Sequence, residues 1–292
     1  MENISEDAKD LNTVHVLSNR HVRAGIFQRT TRFVREMFAE LFRYRELLLT
    51  LAWRDIQARY KHSLIGAGWA IFVPVIQMVV FGTVLQKVAK IDTGDLPYPI
   101  FLYCGLVPWQ FFEQSVLKGT QSLVVNSNLV TKIYFAREVL PCAAILGGAF
   151  DFVIASTVLA GMMVWYKIAP IHTLAWVPLI ILIQIVFSSG VVLVLSMVNL
   201  FYRDVGQAIT VMMRAWMFLT TVMYPLDNTG LWRVVNTLNP MTPIITAYRD
   251  VILNGASPDW SSLGPAAALS AAVLLIAWIV FHTNEFRFAE NV

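Results

Sequence analysis

The residues of this 292-residue sequence best able to do chemistry are ionisable side chains inside long apolar segments. Asp151 lies near the middle of one such segment, Arg214 lies within another, and Glu113 and Lys118 share a third. A charge in the hydrocarbon of a bilayer is costly, so it either pairs with a partner or lies on a path for ions or protons. We favour a structural pair between Asp151 and either Arg214 or Lys118, because a proton-coupled carrier usually needs more than one such carboxylate.

No catalytic or metal-binding pattern accompanies these charges. The sequence has no GxxxxGK[ST] phosphate-binding loop, no HExxH pair, no CxxC pair and no GxSxG turn. The two cysteines, Cys104 and Cys142, have no metal-site spacing. We predict that the histidines are solvated or headgroup-level residues rather than ligands; they are His15, His21, His62, His172 and His282. We therefore predict no catalytic residue, no metal and no cofactor in this chain.

The composition is that of a membrane protein. Hydrophobic residues make up 57% of the chain and charged residues only 14%, whereas a soluble domain has about 25% charged residues. Half of the 22 Lys and Arg residues lie between Lys9 and Lys61, before the first long apolar segment. A basic N-terminal region of this kind predicts a cytoplasmic N-terminus against an anionic leaflet rather than a nucleic-acid binder.

Six apolar segments approach the roughly 20 residues that cross a bilayer as a helix. The predicted spans are 65–87, 101–124, 141–166, 174–199, 207–225 and 264–282, of which the fifth contains Arg214. Lys132, Arg137 and Arg203 lie in connections on one side, and Asp92 and Asp95 lie on the other. By the positive-inside rule, both termini are cytoplasmic. We predict an all-α integral membrane fold.

The region before the first span is predicted to be an amphipathic helix in the headgroup plane. Residues 26–62 are too charged to span, and apolar residues recur at helical spacing between basic ones. The residues assigned to this interfacial helix are Leu49, Trp53, Arg54, Ile56, Arg59 and Tyr60. A solvated helix with one face on a partner is the alternative. The chain thus divides into a polar tail (1–25), this interfacial region (26–62) and a six-span domain (63–292).

The stretch between the fifth and sixth spans is broken by prolines. Two short half-helices, 229–238 and 243–253, are predicted to dip into the outer leaflet and return. Irregular backbone at that depth is tolerated only under a cover of protein or beside a water-filled cavity, which suggests an outer gate. An ordinary external loop is the alternative.

Several motifs together resemble one family, the type-2 ABC exporter permeases for polysaccharides. They are Leu51-Ala52-Trp53-Arg54-Asp55-Ile56, Leu64-Ile65-Gly66-Ala67-Gly68-Trp69, Gly105-Leu106-Val107-Pro108-Trp109, Asn126 to Phe135, Tyr202-Arg203-Asp204-Val205, Met223-Tyr224-Pro225, Leu238-Asn239-Pro240-Met241 and Phe286-Arg287-Phe288-Ala289-Glu290. The order and spacing of the motifs, rather than any one of them, make the resemblance specific. It covers nearly everything after residue 45.

The resemblance implies a homodimeric permease of the inner membrane that exports lipid-linked polysaccharide, most simply O antigen, with capsule or teichoic acid as alternatives. Two separate ATPase subunits would bind ATP and Mg, so this chain would need neither. The residues matching the family's ATPase-coupling helix are Asn128, Leu129, Val130, Thr131, Lys132, Ile133, Tyr134 and Arg137. An ion- or proton-coupled carrier and a lipid-modifying enzyme are the competing functions, but we find neither inverted repeats nor a polar cluster at one face.

The resemblance also places the first and fifth spans around the channel. Aromatic rings on these spans and just after the fifth could pack on sugar faces; they are Trp69, Phe72, Trp216, Phe218 and Tyr224. Trp216 and Phe218 are two residues apart, so both cannot face the sugar, and we expect Trp216 to do so and Phe218 to pack. Arg214 stands where an uncharged residue is expected.

The predicted topology can be tested by labelling single introduced cysteines with a membrane-impermeant maleimide. Cysteines at Asp92, His172 and Ser257 should react from outside, whereas those at Thr131 and Asn284 should react only after permeabilisation. Labelling at Thr131 in intact cells would contradict the six-span arrangement.

Overall fold

The computed structural model describes residues 42–61, 63–85, 96–132, 135–225, 236, 238–285 and 288. The described residues form helices joined by turns, and no strand occurs among them. The chain divides into two compact units, Met1–Glu46 and Leu47–Val292. Of the first unit, only residues 42–46 are described.

Nine α-helices follow one another in the described part of the chain. They are α1 Arg45–Tyr60, α2 Trp69–Val84, α3 Tyr98–Val125, α4 Ser127–Lys132, α5 Val139–Trp165, α6 Val177–Phe201, α7 Val205–Leu219, α8 Met241–Ile252 and α9 Trp260–Asn284. Short 3₁₀ turns, Gly66–Gly68 and Thr173–Trp176, lead into α2 and α6.

Four helical segments in the described part of the chain are long and apolar enough to cross a membrane. They are Gly66–Val84, Val139–Trp165, Thr173–Phe201 and Trp260–Asn284. They match four of the six spans predicted from sequence. The chain is therefore an all-helical, multi-pass membrane protein.

The other two predicted spans differ from this pattern in different ways. Helix α3 has 28 residues, about 42 Å at 1.5 Å per residue, which is long enough to cross. It carries more polar residues than the other long helices, among them Glu113 and Lys118. Helix α7 has 15 residues, about 22 Å, which is shorter than a hydrocarbon core of about 30 Å. The predicted span 207–225 is therefore too long for its helix, and the count of six stays a prediction.

Helix α3 lies at the centre of the molecule, which explains its composition. It contacts α2, α5, α6, α7 and α8, and its large side chains Tyr103, Trp109 and Phe112 are fully buried. A helix enclosed by other helices meets little lipid, so its surface does not have to be uniformly apolar. Polar residues can then face clefts between the helices.

Close helix contacts and a buried amide hold the neighbours of α3 in place. A Cβ at Gly190 would lie 2.8 Å from the backbone nitrogen of Leu274, so glycine lets α6 and α9 approach closely. The fully buried Gln184 of α6 donates to the carbonyl oxygen of Pro108 at 2.6 Å. The side-chain oxygen Oε1 of Gln184 accepts from the Tyr248 hydroxyl at 2.9 Å. This one amide therefore joins α3, α6 and α8.

Helix α8 corresponds to the predicted half-helix 243–253. The other predicted half-helix, 229–238, lies outside the described residues except for Asn236 and Leu238. Nine of the twelve residues of α8 are buried, and the helix contacts α3, α6 and α9. This short helix is thus covered by protein, and its insertion into the outer leaflet stays a prediction.

A buried arginine on α8 holds the turn that follows α7. The Arg249 guanidinium donates to the carbonyl oxygens of Thr221 at 2.5 Å and Val222 at 2.6 Å. It also lies 3.7 Å from the centroid of the Phe101 ring. Arg249 is 5% exposed, so its positive charge is stabilised by carbonyl dipoles and a ring face.

The helix ends define two opposite faces. One face holds helix α4 together with the end of α3, the start of α5 and the end of α9, and we call it the α4 face. Contacts of Arg137 and Glu138 with residues 282–285 bring the end of α9 to this face. The opposite face holds helix α8 together with the end of α7 and the start of α9, and we call it the α8 face.

Candidate functional site

Asp151 is held by the end of helix α1. It lies about 18 Å along α5 from Val139 at 1.5 Å per residue. Its carboxylate accepts hydrogen bonds from the Arg59 guanidinium and from the Tyr60 hydroxyl at 2.5 Å. The Lys118 ammonium is 3.7 Å away. Of the two cations proposed from sequence, Lys118 is therefore a partner of Asp151.

Arg214 does not join this group. It acts electrostatically on the Glu113 carboxylate instead, so the unusual cation of α7 has an acidic neighbour on α3. The alternative pair of Asp151 with Arg214 is not formed, because the Asp151 carboxylate is bound by Arg59, Tyr60 and Lys118 instead.

Tyr60 donates to Asp151 as a neutral phenol. Burial, and then the hydrogen bond to the carboxylate, raise the pKa of Tyr60 from 10.0 to about 12. The hydroxyl therefore keeps its proton at neutral pH and can stabilise the ionised form of Asp151.

These residues lie at one end of a polar cleft with a volume of about 220 Å³. The cleft is enclosed by α1, α2, α3 and α5, and its lining includes Trp69, Gln77, Gln110, Glu113 and Gln114 as well as the Asp151 group. Gln110 donates to the Gln77 side chain at 2.7 Å, which joins α3 to α2. Side-chain amides, one indole and several charges thus meet between membrane helices.

The charge balance of the cleft favours an anion at the α1 end. Arg59 and Lys118 together carry two positive charges against the one negative charge of Asp151. Glu113 has Arg214 as its own counter-charge. A phosphate or carboxylate group of a ligand could therefore approach Arg59 and Lys118 favourably.

Helix α1 also reaches the segment before α4. Arg54 donates to the Asn126 side chain at 2.8 Å, and Asn126 lies between α3 and α4. Leu49 and Trp53 are 60% and 55% exposed, whereas Ile56 is 8% exposed. The predicted apolar stripe is therefore divided, because its Leu49 and Trp53 face away from the protein while Ile56 packs on it.

The segment predicted to be the coupling helix contains the short helix α4, Ser127–Lys132, and its coupling role stays a prediction. Asn128, Thr131 and Lys132 are exposed, Leu129 is half-buried and Val130 is buried. Ile133 and Tyr134 lie outside the described residues. Phe135, the last residue of the motif that begins at Asn126, is 5% exposed and packs within the chain.

Arg137, the last predicted coupling residue, is bound within the chain. Its backbone N–H donates to a carboxylate oxygen of Glu285 at 3.3 Å, and its guanidinium donates to the carbonyl oxygen of the same residue. The guanidinium also lies 5.8 Å from the Phe288 ring centroid. Its described contacts tie α5 to the end of α9.

The predicted substrate-path aromatics fall into two groups. Trp69 and Phe72 are each 44% exposed and meet edge to face, with ring centroids 5.4 Å apart. Trp216 instead lies in a ring cluster with Trp109, Phe112 and Phe187.

The expected division between Trp216 and Phe218 is reversed. The Trp216 N–H donates to the Asn239 side chain at 3.1 Å, whereas Phe218 is 55% exposed. The Tyr224 hydroxyl donates to the carbonyl oxygen of Phe218 at 2.8 Å. The sequence showed that only one ring could face outward, but the rotation of α7 depends on its neighbours.

Three functional contacts carried no sequence signal. Arg59 and Asp151 are 92 residues apart, and Arg249 binds carbonyl oxygens rather than a charged partner. Glu138 and His282 are 144 residues apart. Helical spacing could have indicated only one neighbouring contact, between His282 and Glu285, which lie three residues apart at the end of α9.

Comparison with known proteins gives one family and several relatives. A sequence model of the ABC-2 type transporter family matches residues 46–253. The chain is similar to the O-antigen export system permease protein RfbA of Myxococcus xanthus, at 28% identity over 87% of this chain and 98% of that protein. The Klebsiella pneumoniae protein of the same name is 25% identical over 84% and 94%. The polysialic acid transport protein KpsM of Escherichia coli is 22% identical over 80% and 91%.

Removing the Asp151 charge should destabilise the helix bundle. Asp151→Asn leaves Arg59 and Lys118 facing each other in a partly buried place, which we expect to cost about 2 kcal/mol. Asp55→Asn is the matched control, because the exposed Arg54–Asp55 pair should be worth about 0.5 kcal/mol. Thermal unfolding in detergent measures both, and equal stability of the two variants would contradict the structural role of Asp151.

The two aromatic residues of α7 should differ in the same assay. Trp216→Ala opens a cavity in the ring cluster and removes a hydrogen bond to Asn239. We therefore expect the free energy of unfolding to fall by about 3 kcal/mol. Phe218→Ala removes an exposed ring and should cost about 0.5 kcal/mol. A larger loss for Phe218→Ala would show that the described rotation of α7 is wrong.

Proposed function

Because the chain belongs to the ABC-2 type transporter family, we propose that it is the transmembrane subunit of an ATP-driven exporter of lipid-linked polysaccharide. Its named relatives export O antigen or transport polysialic acid, and the chain spans nearly their whole length. O antigen is the favoured polymer, since the relatives of higher identity are O-antigen permeases.

One observation carries the mechanism: helix α1 touches both the polar cleft and the α4 segment. Arg59 and Tyr60 bind Asp151 at the cleft, and Arg54 binds Asn126 beside α4. These contacts lie about one and a half turns apart on one helix. A movement of α4 is therefore passed through a rigid element to the side chains that line the cleft.

The cleft is proposed to receive the anionic end of the substrate. Arg59 and Lys118 supply positive charge where α1, at the membrane surface, meets the spans. Trp69 and the glutamines lie beside them, and such groups can contact sugars through a ring face or hydrogen bonds. The lipid anchor would stay in the bilayer, beside the exposed Leu49 and Trp53.

The energy is proposed to come from two separate ATPase subunits docked on α4. Its exposed residues Asn128, Thr131 and Lys132 offer a polar surface for that contact. On closing around ATP and Mg, the partners would push α4 and rock two copies of this chain about their common interface. This chain supplies the path and the gate, with no covalent step.

The exposed apolar rings would then face the translocation path or the second copy. Trp69 and Phe72 on α2 and Phe218 on α7 are the described residues suited to this position. In this arrangement the protein lies in the inner membrane with both termini and the α4 face in the cytoplasm. Tyr224, bound to the backbone at the end of α7, would lie near the exit.

The proposal is tested by reversing one charge on α4. Lys132→Glu should release the partner ATPase from the purified complex and abolish its substrate-stimulated ATP hydrolysis, because a misplaced charge at a small interface typically costs several kcal/mol. Surface polysaccharide should fall in parallel. Lys167→Glu, an exposed lysine in the α5–α6 connection, is the control and should behave as wild type.

The wild-type chain should also bring down an ATPase in equal amounts and restore surface polysaccharide to a deletion strain. Failure of both would overturn the exporter assignment. Normal export by Lys132→Glu, with export restored by the wild type, would instead remove α4 as the docking element.

A further inference from the structure

A partly buried cluster of ligand-type side chains lies at the α4 face, away from the polar cleft. Glu138 precedes α5, His282 lies in the last turn of α9, and Glu285 follows that helix. One potential ligand atom from each residue lies within 4.8 Å of the other two. The His282 Nδ1 atom is 3.3 Å from Oε1 of Glu138 and 3.6 Å from Oε2 of Glu285.

Glu138 is buried, and one of its two carboxylate oxygens has no hydrogen-bond partner. Its side chain is 4% exposed, and its Oε2 atom is buried without a hydrogen-bond partner. Although it occupies the N-cap position of α5, its side chain makes no capping hydrogen bond. A buried carboxylate oxygen in this state carries a large desolvation cost unless something binds it.

The surroundings compensate the two carboxylates unequally: Glu285 accepts a hydrogen bond from the Arg137 backbone N–H, whereas the Oε2 atom of Glu138 has no hydrogen-bond partner. Among the described residues, neither Glu138 nor Glu285 forms an ion pair with a lysine or arginine; the ion-pair partner of both is His282. The Arg137 guanidinium, the cation beside them, donates to the carbonyl oxygen of Glu285 rather than to a carboxylate. A neutral imidazole has one N–H, so its Nδ1 atom can donate to only one of the two carboxylates at a time.

The distances from His282 Nδ1 to the two carboxylate oxygens suit a bound metal ion. Zinc binds histidine nitrogen and carboxylate oxygen at about 2.0–2.2 Å in a tetrahedron, which sets neighbouring ligand atoms about 3.3–3.6 Å apart. The two distances from His282 Nδ1 agree with that separation. One imidazole and two carboxylates are also a donor set that divalent transition metals accept, with a fourth position left for water.

We propose that Glu138, His282 and Glu285 bind a divalent transition metal ion, zinc being the best fit. The ion would join the start of α5, directly after the coupling segment, to the end of α9. It would act as a structural clamp at the face where α4 lies. Binding of the ion does not depend on the proposed transport function.

The test is zinc binding by the full-length chain, purified in detergent with an affinity tag that contains no histidines. After treatment with a chelator, equilibrium dialysis against zinc and elemental analysis should find about one tightly bound ion per chain. His282→Gln should weaken this binding by about tenfold or more. His172→Gln, a change at an exposed histidine on the other face, should bind zinc as the wild type does.

A thermal measurement gives a second readout. Zinc should raise the unfolding temperature of the wild type and of His172→Gln but not of His282→Gln, because only a ligand that binds the folded state stabilises it. Glu138→Gln should lose zinc as well; if that buried change prevents folding, the partly exposed His282 variant still decides the question. Equal zinc binding by wild type and His282→Gln, or none by the wild type, overturns the proposal.

Discussion

The ionised Asp151 side chain, placed well inside a membrane helix, is the constraint on which the arrangement of this protein depends. A carboxylate in that position needs charge and hydrogen bonds from protein, because lipid supplies neither. Arg59, Tyr60 and Lys118 supply them. Since two of these residues belong to α1, the same contacts that neutralise Asp151 hold this helix against the spans and form one end of the polar cleft.

The central position of α3 is the second feature on which the arrangement of the helices depends. It supplies Lys118 and Glu113 to the cleft, packs on five other helices, and leads directly through Asn126 into α4. Helix α1 binds Asn126, which follows α3, through Arg54, and its Arg59 shares the Asp151 carboxylate with Lys118 of α3. In the proposed mechanism, a displacement of α4 would act on α3 and α1 together and change the shape of the cleft between them.

Features that depend on composition could be predicted from the sequence. Membrane character, four of the spans and the position of α8 follow from apolar length and proline breaks. The sequence also located the intramembrane charges and named Lys118 as a partner of Asp151, but it did not identify Arg59 and Tyr60. The short α7 was not predicted, since residues 220–225 are apolar enough to continue a span although their backbone turns.

Contacts between distant segments could not be predicted in this way. Arg59 was assigned to the headgroup plane because it lies in a basic, non-spanning segment, yet its guanidinium reaches a carboxylate inside a span. The outward rotation of Phe218 instead of Trp216 is set by the rings of α3 and α6 that receive the indole. Such choices depend on which helices are neighbours, and a single sequence does not specify that.

Arg249 has a consequence for how the α8 face can diversify. Because it binds the carbonyl oxygens of Thr221 and Val222, it fixes the path of that turn through atoms that every amino acid possesses. The side chains of Thr221 and Val222 are themselves fully buried, so the backbone path and the side-chain volume of this turn are constrained together. The exposed positions of the α8 face, such as Asn254 and Gly255, are therefore the places where its surface chemistry can vary while the turn keeps its shape.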